Sequence, residues 1–171
     1  MRLFAVLFSF LVASASLAPT VAAQVRKATA PVVKASLPAR ATADPIRVVD
    51  IIGTDDMKYS VTTITARRGE TLRIRLGSKG TIPKVAMAHN VVVLKIGTDI
   101  LRLLKEGAPH RGTDFIPPGM RDAVIAKTPF AGPGESVQVT FIVPAKPGKY
   151  PFICTFAGHY QAGMKGTLVV K

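Results

Sequence analysis

From residue 46 onward the chain is a succession of short apolar-rich segments closed off by glycine and proline. They read "IRVVDII" (46–52), "YSVTTITA" (59–66), "TLRIRLG" (71–77) and "NVVVLKI" (90–96), then "DAVIAKT" (122–128), "SVQVTFIV" (136–143), "YPFICTF" (150–156) and "GTLVVK" (166–171). The breaks carry "RRGE", "GSKG", "AGPGE" and "PAKPGK", residues that turn the backbone or withhold a donor from a sheet ladder. In "VQVTFIV", Val137, Val139, Phe141 and Val143 fall on one side and Gln138 and Thr140 on the other, the period of a half-buried strand. About eight strands at this spacing predict an all-β domain, an antiparallel sandwich or barrel. One segment departs from the pattern. "TDILRLLKEG" (98–107) sets Ile100, Leu101, Leu103 and Leu104 at helical spacing, with Thr98 as N-cap and Gly107 as stop, which predicts one short helix inserted between strands. The "APHRGTDFIPPGM" that follows reads as loop.

The first 45 residues have a different character. "MRLFAVLFSFLVASASLAPTVAAQ" has one positive charge at Arg2, an apolar stretch and a small-x-small ending at Val21-Ala22-Ala23, the layout of a secretory signal peptide. The apolar run meets Pro19, short of the about 20 apolar residues a bilayer span needs. The expectation is therefore a signal peptide over 1–23, with no membrane span left after cleavage and a periplasmic destination. The residue directly after the cleavage site is Gln24 and not a cysteine, which argues against a lipid-anchored form. Residues 24–45 are rich in alanine and proline, with four basic residues and one acid. Such a segment buries too little apolar surface to offset its ordering entropy and reads as a flexible basic leader, a tether or a spacer. The domain is then 46–171, long enough for one well-formed core.

Eighteen Lys/Arg against nine Asp/Glu in 46–171 give that domain a net charge of +9. A field of that sign favours acidic partners and speeds encounter at low salt; it also serves solubility. Nucleic acid is disfavoured as a partner, because the basic residues are scattered and aromatic residues are few. The single cysteine, Cys154, excludes an internal disulfide. In an exported protein it signals intermolecular pairing, a reactive thiol or a metal ligand.

"CTFAGHYQAGMKG" (154–166) holds that cysteine together with His159 and Met164. It joins two predicted strands, and Gly158 and Gly163 let its backbone turn tightly. A mononuclear electron-transfer copper site needs one thiolate, two neutral imidazoles and a weak axial thioether. This loop supplies all but one imidazole. Of the other histidines, His110 sits in the charged loop "GAPHRG" and is expected to be exposed, whereas His89 in "AMAHNVVVLK" stands just before a strand at the rim of the sandwich. His89 is therefore the expected second imidazole. Three histidines are too few for a multicopper oxidase. A thiol enzyme using Cys154 and His159 lacks a third orienting group and leaves Met164 without a role.

The stretches "IPKVAMAHNVVVL" and "CTFAGHYQAGMKGTLVVK" closely resemble the azurin/auracyanin-like cupredoxins, with a further likeness over "VIAKTPFAGPGESVQVTF". That resemblance implies a Greek-key β-sandwich with one type 1 blue copper. It implies His89, Cys154 and His159 as equatorial ligands and Met164 as the axial one. It further implies that Asn90 fixes the Cys154 loop by hydrogen bonds, and that the Asn90 and Phe156 backbone N–H groups point at the sulfur. Some positions depart from azurin: four residues separate His159 from Met164, as in auracyanins, Ala88 replaces the glycine whose carbonyl lies near copper, and Ala157 replaces a loop proline. Copper so bound has no open position for substrate, so the expected function is single-electron transfer between Cu(I) and Cu(II); a monomer is expected, and its positive charge favours redox partners with an acidic docking surface. His159 would lie nearest the surface, ringed by an apolar patch of Met87, Phe156, Ala157 and Ala162. The alternative is a copper-binding or delivery protein with no dedicated redox partner.

Overall fold

A computed structural model describes residues 45–171; the signal peptide and nearly all of the leader expected from the sequence lie outside the described residues. Nine strands form two sheets: β1 (Arg47–Thr54), β2 (Lys58–Tyr59), β3 (Thr63–Ala66), β4 (Thr71–Lys79), β5 (Val92–Leu94), β6 (Val124–Lys127), β7 (Ser136–Ile142), β8 (Gly148–Ile153) and β9 (Lys165–Val170). One sheet runs β2-β1-β4-β7 and the other β3-β9-β8-β5-β6. The two face each other as a β-sandwich.

Two expectations need correction. The sheets are mixed rather than antiparallel, because β1 pairs with β4 and β3 with β9 in parallel. Period-2 alternation is the same for both pairings, so the pattern could not distinguish them. The predicted strand 59–66 is also two strands. β2 pairs with β1 in the first sheet, while β3 pairs with β9 in the second. Residues 60–62 carry the chain from one layer to the other, the way sandwich corners are commonly built.

Alternation fills the space between the layers. Ile51, Leu72, Ile74 and Leu76 from the first sheet meet Ile64, Val93, Phe152 and Leu168 from the second, all essentially inaccessible to solvent. Cys154 and Met164 belong to this same cluster. Val137, Val139 and Phe141 line the inner side of β7 as the sequence pattern predicts. The run "VVVL" at 91–94 does not alternate, and the structure supplies the reason. Val91 and Val93 face the main core, whereas Val92 and Leu94 join Leu103, Ile116 and Ile153 in a second apolar cluster. A strand covered on both faces is apolar throughout. The cover is α1 (Ile100–Gly107). Its N-cap is Asp99, not Thr98: the Asp99 carboxylate accepts from the Arg102 N–H at 3.0 Å, while the Thr98 hydroxyl turns back to the Lys95 carbonyl. The stretch after α1 also holds two 3-10 turns: Arg111–Thr113, where the sequence reads as plain loop, and Pro118–Ala123, which runs from that loop into the start of the predicted strand 122–128.

Candidate metal centre

Strand periodicity aims Cys154 inward. On β8, Phe152 points into the main core and Ile153 to the opposite face, so the next residue, Cys154, returns to the core side. The Cys154 N–H then donates to the Met164 carbonyl at 3.1 Å, which closes 154–164 into a loop. Inside it, Met164 N–H donates to the His159 carbonyl at 2.9 Å and His159 N–H to the Phe156 carbonyl at 3.1 Å. Gly158 and Gly163 take φ of 84° and 101°, the left-handed region in which a side chain is strained. His89 comes from elsewhere. It forms a two-bond bridge with Ala131, its N–H donating at 2.9 Å and its carbonyl accepting at 2.8 Å.

The structure brings His89, Cys154 and His159 together, with ligand atoms all within 4.8 Å of one another. Nδ1 of His89 lies 3.3 Å from Nδ1 of His159, which lies 3.4 Å from Cys154 Sγ. Met164 is fully buried, and its methyl group lies close to the His89 ring over Gly53: a Cβ on Gly53 would come within 2.9 Å of both. His110 is not part of the group. It is half-buried rather than exposed, in a turn where its carbonyl accepts from the Phe115 N–H at 2.9 Å.

Electrostatics explain why such a cluster suits a cation. Burial holds both imidazoles below their ordinary values. His159 falls to about 4, through burial first and the neighbouring His89 second; His89 is lowered by burial, with Asp55 opposing. Both rings are therefore neutral at pH 7, and at most one proton can sit between their facing nitrogens. Burial pushes the Cys154 thiol up to about 12, while the Asn90 and Phe156 backbone N–H groups pull the other way. Two neutral nitrogens and a sulfur converge in a dry space, where a bound cation would stabilise the thiolate form. The His159 shift has a consequence for the metal-free protein. An unfolded histidine takes up its proton near about pH 6.5, whereas folded His159 waits until about 4. Between those values the unfolded state binds more protons, so stability is whole above the upper value and is lost as pH falls toward the lower. Denaturation midpoints of metal-free protein should therefore drop from about pH 6.5 to about pH 4. A flat profile would contradict a buried, neutral His159.

Asn90 ties the two arms of the site together. Its Oδ1 accepts from the Thr155 N–H at 2.9 Å and its Nδ2 donates to Thr155 Oγ1 at 2.9 Å. Thr155 Oγ1 donates onward to the Asp114 carbonyl at 2.7 Å. The Ala88 carbonyl lies 3.9 Å from Sγ. Of the expected apolar patch, Ala157 is exposed and Met87, Phe156 and Ala162 are half-buried. His159 itself is only 1% exposed. Its ring sits 4.8 Å from that of Phe156, which packs edge-on against Phe115 and Phe130. Phe156 therefore serves core packing as well as the patch. Sequence reasoning missed Gly53 and Thr155. A glycine inside an apolar strand is a signal of close approach, and "DIIGT" carried it; Thr155 carried none.

A family model described as copper binding proteins, plastocyanin/azurin family, matches residues 47–171. The chain belongs to that family. It is 39% identical over 127 residues to an azurin of Pseudomonas denitrificans, a match covering 72% of this chain and 97% of the azurin. It is 33% identical over 128 residues to auracyanin-B of Chloroflexus aurantiacus, covering 74% of this chain and 53% of that protein, so the chain spans only about half of auracyanin-B. The solved structure of auracyanin A, a "blue" copper protein from the same bacterium, superposes with a TM-score of 0.64 at 29% identity, covering 74% of this chain and the whole of that one. The fold is thus that of a cupredoxin, and copper is the cofactor that the family and the donor set share.

Proposed function

We propose that the protein is a periplasmic electron carrier that holds one copper ion at His89, Cys154, His159 and Met164. One observation carries this reading: two neutral imidazole nitrogens and one thiol sulfur converge in a dry pocket beside a buried thioether. That is the donor set of an electron-transfer copper site. Copper bound there supplies one-electron exchange between Cu(I) and Cu(II). His89 and His159 offer their nitrogens without first having to lose a proton. Cys154 gives up its proton on binding and stays oriented by the Asn90–Thr155 bonds. The Met164–Cys154 and Met164–His159 backbone bonds hold three of the four side chains in one loop, so their positions change little when charge changes.

A nucleophilic enzyme finds no support in these residues. A buried thiol held near about 12 carries almost no thiolate at neutral pH without a metal. For a partner, the patch of Met87, Phe156, Ala157 and Ala162 offers a small apolar contact of the kind transient redox encounters use. Beside it runs a groove of about 250 Å³ between α1 and the ligand loop, with Leu101, Leu104, Phe156 and Ala157 among its walls and Lys105 among its lining residues. That lysine and the domain's net charge of +9 suit an acidic surface. Among the described residues no helix is long and apolar enough to cross a membrane.

Titration of the purified protein with Cu(II), followed by visible absorption and electron spin resonance, tests the proposal. One equivalent should produce an intense thiolate-to-copper band that bleaches with ascorbate and returns with oxidant over repeated cycles. A colour that is lost because the reduced metal leaves the protein would favour copper delivery instead. Binding with no such band would end the assignment.

A further inference from the structure

We propose that Tyr59 is a positioning residue for the sulfur of this centre. Its hydroxyl reaches across the sandwich and fixes Asn90, whose side-chain amide holds Thr155, the residue next to Cys154. Tyr59 sits in β2 of the first sheet and is buried, its ring 5.7 Å from that of Phe152. Its hydroxyl donates to the Asn90 carbonyl, on the second-sheet side of the molecule. The bond therefore ties the two layers together at the end where the ligands lie.

Asn90 is held on both sides and through its side chain. On its N-terminal side, the His89 carbonyl accepts from the Ala131 N–H at 2.8 Å. On its C-terminal side, the Asn90 carbonyl takes the Tyr59 hydroxyl, and the Val91 N–H donates to Thr128 Oγ1 at 3.0 Å. The side-chain amide holds Thr155. Removal of the Tyr59 hydroxyl strands a buried carbonyl, which costs more than the bond itself contributes. The relaxation that follows turns Asn90 about its Cα and loosens the grip of its side-chain amide on Thr155. Thr155 adjoins Cys154, so the sulfur loses its fixed direction toward the two imidazoles, and ligand orientation tunes a bound metal.

Tyr59→Phe isolates the hydroxyl, since the ring and its packing remain. Tyr150→Phe is the matched control: Tyr150 is also buried and its hydroxyl also anchors a backbone carbonyl, that of Lys146 at 2.7 Å. It lies on β8, four residues ahead of Cys154. Amide hydrogen exchange in the metal-free proteins is the first readout. In Tyr59→Phe, the Thr155 amide, which donates to Asn90 Oδ1, should exchange about tenfold faster relative to the core amide of Phe152, as loss of one anchoring bond implies; in Tyr150→Phe the ratio should hold. The second readout rests on the copper reading above. Tyr59→Phe should shift both the thiolate band and the reduction potential, and Tyr150→Phe should move neither. Equal acceleration of Thr155 and Phe152, or equal redox shifts in both variants, would overturn the proposal and leave Tyr59 a packing residue. Failure of the wild-type protein to develop the band would overturn the copper reading alone, because the exchange comparison still decides the role of Tyr59.

Discussion

Cys154→Ser should abolish the thiolate-to-copper band outright, while His110→Ala leaves its position and intensity unchanged. Serine is nearly the same size, so the loop closed by the Cys154–Met164 backbone bond can persist. What disappears is the soft, polarizable sulfur from which the charge-transfer absorption arises. A hydroxyl does not ionise near neutral pH, and the site falls back to two imidazoles and a thioether, a much weaker set for copper. His110 lies in the turn after α1, outside the ligand cluster, and its removal takes nothing from the metal. Absorption spectra of the three copper-treated proteins at equal concentration settle the matter. Colour that survives the serine substitution contradicts the thiolate assignment, and colour lost with His110→Ala contradicts the choice of His89.

Asn90→Ala should cost about 2–4 kcal/mol of stability in the metal-free protein, from one lost bond plus one stranded donor. Asn90 and Thr155 are both buried, and the Thr155 N–H has the Asn90 Oδ1 as its acceptor at 2.9 Å. Alanine leaves that N–H without a partner and without access to water. Thr155 is next to Cys154, so the loosened peptide is the one that orients the sulfur. Urea denaturation gives the stability change as a shift in midpoint at constant slope. Copper affinity measured alongside should fall as well, because ligands that must be re-ordered bind more weakly. An unfolding free energy within about 0.5 kcal/mol of the wild type would show that the Asn90–Thr155 bonds contribute little.

Much of this architecture was legible in the sequence because it rests on local chemistry. Strand β7 announced itself through the alternation of Val137, Val139 and Phe141 with Gln138 and Thr140. Cys154, His159 and Met164 stood out because a thiol, an imidazole and a thioether within eleven residues are explained together only by a soft metal. What was not legible depended on partners distant in the chain. The break within 59–66 exists because Tyr59 pairs with β1 and Thr63–Ala66 with β9, and both halves look equally strand-like on their own. The parallel pairings leave no trace in a period of two. Asp99 outcompeted Thr98 as a cap through its reach to the Arg102 N–H, a difference of one position that pattern alone does not resolve. The Tyr59 hydroxyl meets Asn90 from 31 residues away, and Gly53 makes room for His89 and Met164 from a different sheet. These are properties of the assembled sandwich.

The central claim is that His89, Cys154, His159 and Met164 form one ligand cradle that keeps its shape in both oxidation states. Copper X-ray absorption of the same sample, oxidised and then reduced, tests it most directly. The account predicts two nitrogen ligands and one short sulfur ligand in both states, with only small changes in bond length. Loss of a nitrogen or of the short sulfur on reduction, or gain of an oxygen ligand on oxidation, would contradict it.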